Sequence, residues 1–137
     1  MWKYEHTIET DARPTEIWRL YSDVSTWSKW DQGIERVELD GPFQVGSTGR
    51  MKPAGQETLP FRLVQVEENR VFADETEVAG VVLRFTHSID ALDDGRTRLT
   101  HRVSITGPAA EQVAPGLGPA VTAGIPTTMA TLVGMAK

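Results

Sequence analysis

Between Val81 and Ile105 the chain reads VVLRFTHSIDAL, then Asp93-Asp94-Gly95, then RTRLTHRVSI. Both arms alternate apolar and polar residues. Val81, Leu83, Phe85, His87 and Ile89 share one face of the first arm, and Leu99, His101, Val103 and Ile105 share one face of the second. Side chains in a strand alternate between faces, so these sets are the buried faces of two long antiparallel strands. Asp93-Asp94-Gly95 suits a three-residue hairpin loop, with Gly95 taking the left-handed position. That loop pairs Leu92 with Arg96, and counting outward pairs His87 with His101. A slip of one residue would turn one apolar face into water, so the register is constrained. Two histidines therefore face each other on an otherwise oily surface.

A second count brings in a carboxylate. A two-residue turn at Ala79-Gly80 pairs Val78 with Val81, hence Asp74 with Phe85 and Phe72 with His87. Asp74 then faces inward, diagonal to His87, at a backbone separation of about 7–8 Å. A turn one residue longer would put Glu75 inward instead. Two readings of the pair stand side by side. In one, His87 and His101 are structural and satisfy each other or buried water, because unpaired buried polar groups cost about 1–3 kcal/mol. In the other they are polar anchors on a cavity wall, with imidazoles suited to acid–base work near neutral pH. The candidate catalytic residues are accordingly His87, His101 and Asp74. Two histidines and a carboxylate also form a metal-ligand set. Their spacing on separate strands gives no metal signature, and neither a metal nor a cofactor is assigned.

The rest of the chain frames this hairpin. Trp2, Tyr4, His6 and Ile8 alternate with polar residues in a first strand. Pro14 then opens a helix carrying Ile17, Trp18, Leu20 and Tyr21, since proline is tolerated in a first helical turn. Asp23 or Ser25 caps a second short helix carrying Trp27 and Trp30. Strands are expected over Ile34–Asp40, Thr48–Lys52, Thr58–Val66 and Val71–Val78, with short turns that make neighbours antiparallel. Arg50 and Arg62 on these strands read as solvated surface residues. Gly107-Pro108 ends the sheet. Val113, Leu117, Val121, Ile125, Met129, Leu132, Val133 and Ala136 then recur at helical spacing. Pro115, Pro119 and Pro126 interrupt that pattern, and interior proline costs about 3 kcal/mol. The expectation is a broken start near Pro115–Pro119 and a kink at Ile125-Pro126. Met129 and Met135 read as flexible cavity or core filler.

Composition narrows the class. A chain of 137 residues with 39% hydrophobic and 24% charged content is expected to form a single domain, residues 1–137. The net charge of −5 and the lack of a basic patch argue against nucleic acid. There is no cysteine, so no disulfide or thiolate chemistry. MWKYEHTIET has no apolar signal core, and no apolar run reaches the length of a membrane span. A cytoplasmic protein without membrane insertion is expected, and a homodimer is compatible with the sequence. Gly46-Ser47-Thr48-Gly49 lacks the lysine of a phosphate loop and reads as a turn.

The order of elements is strand, two short helices, about six antiparallel strands and a long terminal helix. Several pieces carry a family likeness: Ala12-Arg13-Pro14-Thr15-Glu16-Ile17-Trp18; Asp23-Val24 with Trp27-Ser28-Lys29-Trp30-Asp31; Asp40-Gly41-Pro42-Phe43 with Gly46; Arg84-Phe85-Thr86-His87; and Gly95-Arg96-Thr97-Arg98-Leu99-Thr100-His101. In this order and spacing the chain resembles the START-like, birch-pollen-allergen-like (SRPBCC) superfamily. Within it, the chain resembles the small bacterial polyketide cyclase/dehydrase-type proteins. The resemblance implies an α+β helix-grip fold, a curved antiparallel sheet of about seven strands wrapped around the C-terminal helix, with an apolar cavity between them. It also implies a lipid-like or polycyclic, aromatic ligand. The expected ligand contacts are Trp18, Trp27, Trp30, Phe61, Phe72, Asp74, Phe85, His87, His101, Ile125 and Met129. The alternatives are a polyketide cyclase or dehydratase using the cavity histidines as acid–base groups, and a non-catalytic stress-response or interaction module.

Overall fold

The structure is a computed structural model that describes residues 1–136. It begins with strand β1, Trp2–Thr10, followed by helix α1, Pro14–Ser22. Pro14 stands at the start of α1, and the Glu16 carboxylate accepts the Arg13 N–H at 2.8 Å, satisfying a donor that the helix leaves free. The Asp23 carboxylate accepts the Ser25 N–H and caps a 3-10 turn, Val24–Thr26, which runs into the single-turn helix α2, Trp27–Trp30. Six strands follow: β2 Ile34–Leu39, β3 Thr48–Pro53, β4 Leu59–Glu67, β5 Val71–Val78, β6 Val81–Ala91 and β7 Thr97–Thr106. Two helices close the described chain, α3 Ala110–Thr122 and α4 Ile125–Ala136.

The seven strands form one antiparallel sheet in the order β1-β7-β6-β5-β4-β3-β2. Strands β2 to β7 meander, each beside the next, while β1 crosses to pair with β7. The connection α1–α2 therefore spans the sheet from one edge to the other. Residues are skipped at Glu35 in β2 and Val64 in β4. Such bulges bend a strand and raise its twist, which helps the sheet curl around the helices.

Both sequence-derived registers are present. His87 lies opposite His101, and Leu92 N–H donates to the Arg96 carbonyl at 2.8 Å to close the loop, with Gly95 at φ +82°. Val78 lies opposite Val81 and Asp74 opposite Phe85, so Asp74 faces in. Glu75 faces out, paired with Arg62 and Arg84. Arg50 is likewise on the outer surface, bound to Asp40 and Glu38.

The C-terminal segment corrects the expectation about its prolines. Pro115 and Pro119 lie inside α3 without breaking it, and the interruption falls at Ala123-Gly124. Pro115, Pro119 and Pro126 are all exposed, while Ala114, Gly118 and Thr122 form the buried stripe. The carbonyls that α3 prolines leave unpaired belong to Glu111 and Pro115, themselves exposed residues that water can reach. Pro126 lacks the N–H that would have bonded Thr122, and it stands in the first turn of α4, where that loss is tolerated. Gly118 permits a close approach: a Cβ there would sit 2.5 Å from the Trp2 ring, so α3 packs onto β1 only with glycine at that point. Met135, expected as filler, is exposed.

The interior has two parts. Trp18, Tyr21, Trp27, Trp30, Phe61, Leu63 and Phe72 pack with α4 through Met129 and Leu132. Val81, Leu83, Ile105, Ala110 and Ala114 pack at the other end, with Trp2, Leu117 and Val121 beside them.

Candidate functional site

A cavity of about 500 Å³ lies between the sheet and the C-terminal helices, and its wall draws on both parts of the core. Leu83 and Phe85 from β6, Val103 from β7, and Leu117, Val121 and Ile125 from the helices supply apolar wall. Trp27 and Trp30 close one side. Both indole N–H groups are engaged elsewhere, Trp27 with the Tyr21 carbonyl at 2.9 Å and Trp30 with the Thr26 hydroxyl at 3.1 Å. These rings thus offer the cavity only π-surface. The loops after α2 and between β3 and β4, with exposed Gln32, Gly33, Ala54 and Gln56, form the open end.

Polar groups gather on the sheet side. The β1–β7 and β6–β7 registers align His6, His101 and His87 in one row across three strands. The His87 and His101 rings lie 4.6 Å apart, edge to face, and His87 stacks on Phe72 at 4.0 Å. The fully buried Tyr21 of α1 reaches His101, with Oη 2.7 Å from Nε2. His87 Nδ1 has no hydrogen-bond partner. Burial holds the His87 pKa down to about 3. Burial first, then the neighbouring His87 and His6 charges, holds His101 well below the usual imidazole value. Both imidazoles are therefore neutral at physiological pH.

Asp74 is 4% exposed and lines the same cavity. Burial, reinforced by Glu75 and Asp31, pushes its pKa up to about 8, so at neutral pH it is mostly a protonated carboxyl. Thr76, one inward position further along β5, is also buried, and its hydroxyl has no partner. Asp31, at the C-terminal end of α2, accepts the Gly33 N–H at 2.9 Å and the Thr128 hydroxyl of α4 at 3.5 Å. Burial raises its pKa, opposed by those two hydrogen bonds. The site thus offers neutral imidazoles, a protonated carboxyl and free hydroxyl capacity on a mainly apolar wall, a set able to orient a ligand by hydrogen bonds or pass a proton.

Of the expected contacts, Trp27, Trp30, Asp74, Phe85, His87, His101 and Ile125 meet around this cavity. Trp18, Phe61, Phe72 and Met129 do not. They are buried in the packed aromatic core, where Trp18 abuts Phe43 and Phe72 and Trp27 covers Phe61 and Phe72. Phe72 instead supports the His87 ring from outside the wall. Tyr21, His6, Asp31, Thr76 and Thr128 were not anticipated. His6 carried a usable signal, its inward parity on β1, but the partner strand of β1 is remote in sequence. Among the described residues, no group of three or more His, Cys, Asp or Glu side chains converges to hold a metal ion.

A seven-stranded antiparallel sheet curved around a long C-terminal helical segment, here α3 and α4, with short helices after its first strand and a cavity beneath, defines the helix-grip fold of the START-like, birch-pollen-allergen-like class. Residues 1–133 match the family described as polyketide cyclase / dehydrase and lipid transport, and the chain belongs to that family. Solved structures agree on the fold. The Zhui aromatase/cyclase from Streptomyces sp. R1128 is similar at TM-score 0.81 and 20% identity, over 98% of this chain and 93% of that one. Norcoclaurine synthase from Thalictrum flavum gives 0.74 and 16%, over 96% and 83%. A hypothetical protein from Helicobacter pylori gives 0.80 and 13%, over 99% and 88%. At these identities the likeness concerns fold. No curated protein matches the sequence significantly. No helix among the described residues is long and apolar enough to cross a membrane.

Proposed function

We propose that this chain binds a hydrophobic small molecule, lipid-like or polycyclic and aromatic, in the cavity between sheet and C-terminal helix. The observation that carries this reading is the cavity itself: about 500 Å³, walled mainly by apolar side chains and holding a few convergent polar groups. Ligand pockets commonly have this size and this mixture. A protein interior without such a purpose is close-packed, with few voids larger than a water molecule. The half-buried state of Leu117, Val121 and Ile125 fits the same reading, because these apolar helix residues pack beside the core and also line the cavity. The family description, which includes lipid transport, points the same way.

The test is saturable uptake of the neutral dye Nile red, followed by its fluorescence and by native mass spectrometry, with displacement by apolar alcohols. One dye per chain is expected. Val121→Trp, which fills the cavity from α3, is expected to reduce uptake at least tenfold while melting near the parent temperature. Uptake that is unsaturable, or unchanged in a folded Val121→Trp variant, overturns the reading.

A further inference from the structure

The charge of the cavity is as informative as its size. Its lining includes two carboxylic side chains, Asp74 and Asp31, and the two neutral imidazoles. The only guanidinium among the described lining residues, Arg102, turns its head to the outer face and bonds Glu5 at 2.9 Å. Among the described lining residues, no lysine or inward arginine is available to neutralise an anionic ligand. The acidic pair alone would define no site, but two further observations bear on it. Asp74 is 96% removed from solvent, as its 4% exposure states, and lies against the cavity without an intramolecular partner that would favour its charge. The Thr76 hydroxyl beside it is buried and unpartnered as well. Groups so placed lack a hydrogen-bonding counterpart that a ligand would supply. Trp27, Trp30 and Phe85 line the same cavity, Phe85 opposite Asp74, and aromatic faces attract cations.

We propose that the cavity selects an apolar, preferably aromatic, ligand carrying an amine, whose ammonium group pairs with the Asp74 carboxylate inside the cavity while Asp31 adds negative potential near the open end. This rests on the ligand-binding reading above and specifies its ligand class. It carries a proton signature. Asp74 is mostly protonated below about pH 8. When an ammonium ligand enters and an ion pair forms, the carboxyl proton leaves to solvent, so one proton is released per ligand bound. The other titratable groups facing Asp74 do not supply that signature. His87 on β6 and His101 on β7 are held neutral by burial, which keeps both below the ordinary imidazole range. Glu75 on the same strand points outward into its pairs with Arg62 and Arg84. Strand β4 presents Leu63 opposite Asp74, and α4 presents the uncharged Thr128. Asp31 is the remaining group, and a variant isolates it.

The experiment is isothermal titration calorimetry with three ligands of one skeleton: 2-(1-naphthyl)ethylamine, 2-(1-naphthyl)ethanol and 1-naphthylacetate. The amine is expected to bind at least tenfold more tightly than the alcohol at pH 8, and the carboxylate more weakly than either. Amine affinity is expected to rise about tenfold per pH unit between pH 6 and 7.5 and then level, as release of one proton requires. Titrations in buffers of different ionisation enthalpy count that proton directly. Asp74→Asn is expected to abolish both the pH slope and the preference for amine, with the alcohol still bound. Asp31→Asn is expected to weaken the amine while keeping the slope. Equal affinity for amine and alcohol, or a slope that survives Asp74→Asn, overturns amine selection and leaves the cavity reading intact. Failure of all three ligands together with Nile red overturns both.

Discussion

Thr76 is buried next to Asp74, yet its hydroxyl meets no partner among the described residues. An orphaned buried hydroxyl destabilises a fold, and replacing it by a methyl group of the same shape removes the penalty. Thr76→Val is therefore expected to raise the stability of the free protein by about 1 kcal/mol. Urea denaturation followed by tryptophan fluorescence measures it, and a loss of stability would show that the hydroxyl is satisfied after all. Residues of this kind mark how far the sequence could be read. His87, His101 and Asp74 could be placed because each position follows from strand parity and from a turn whose length is visible in the chain. Tyr21 could not, because its bond to His101 joins positions 80 apart and depends on how α1 lies across the sheet. Asp31 reads as one more polar residue after a tryptophan-rich turn until Thr128 of α4 is brought beside it. The aromatic residues show the converse. Large apolar side chains are legible as buried, but nothing local tells a packed interior position such as Phe61 from a cavity wall position such as Phe85.

At the scale of elements, turn chemistry was legible and carries a further expectation. Ala79 and Gly80 both have positive φ, +53° and +80°, as a two-residue turn matched to strand twist requires. Gly80 adopts this freely, whereas alanine in that region is strained by about 1–2 kcal/mol. Asparagine is the preferred residue at the first position. Ala79→Asn is expected to stabilise the protein by about 1 kcal/mol, seen as a higher denaturant midpoint with an unchanged slope. The unchanged slope is part of the prediction, since the substitution relieves local strain without altering the surface exposed on unfolding. The C-terminal helices taught the opposite lesson. Their hydrophobic spacing is readable in the sequence, but which side of the helix meets water, and so what a proline costs there, is set by the packing. In α3 the prolines fall on the exposed side and the helix passes through them.

At the scale of the whole molecule, the buried titratable groups combine into one pH dependence. In the unfolded chain His87 and His101 titrate near about pH 6.5, but folded they stay neutral to far lower pH. As pH falls below that point the unfolded chain gains protons that the fold refuses, and stability is lost. Asp74 works in the other direction. Its folded pKa of about 8 lies above the value of about 3.9 it has unfolded, so stability is lost as pH rises between them. The slopes cancel where the two unfolded imidazoles together hold one proton, which places maximum stability at about pH 6.5. Chemical denaturation from pH 5 to 9 is expected to trace that maximum. Asp74→Asn is expected to turn the alkaline decline into a plateau, and a decline that persists would remove Asp74 as its source.

The crossing of β1 also sets an order of assembly during synthesis. Of the seven described strands, β1 leaves the ribosome first, yet β7, its neighbour in the sheet, is made last. Thr7 and Thr100, whose hydroxyls meet at 3.1 Å in the finished sheet, are 93 positions apart. At ordinary translation speeds that gap lasts roughly 5–20 s. Throughout it the β2–β6 meander can form behind a β1 segment whose Trp2, Tyr4 and Ile8 have no sheet to cover them. The nascent chain therefore carries an amphipathic strand open to chaperones, and the histidine row becomes complete only when β7 emerges and β1 docks.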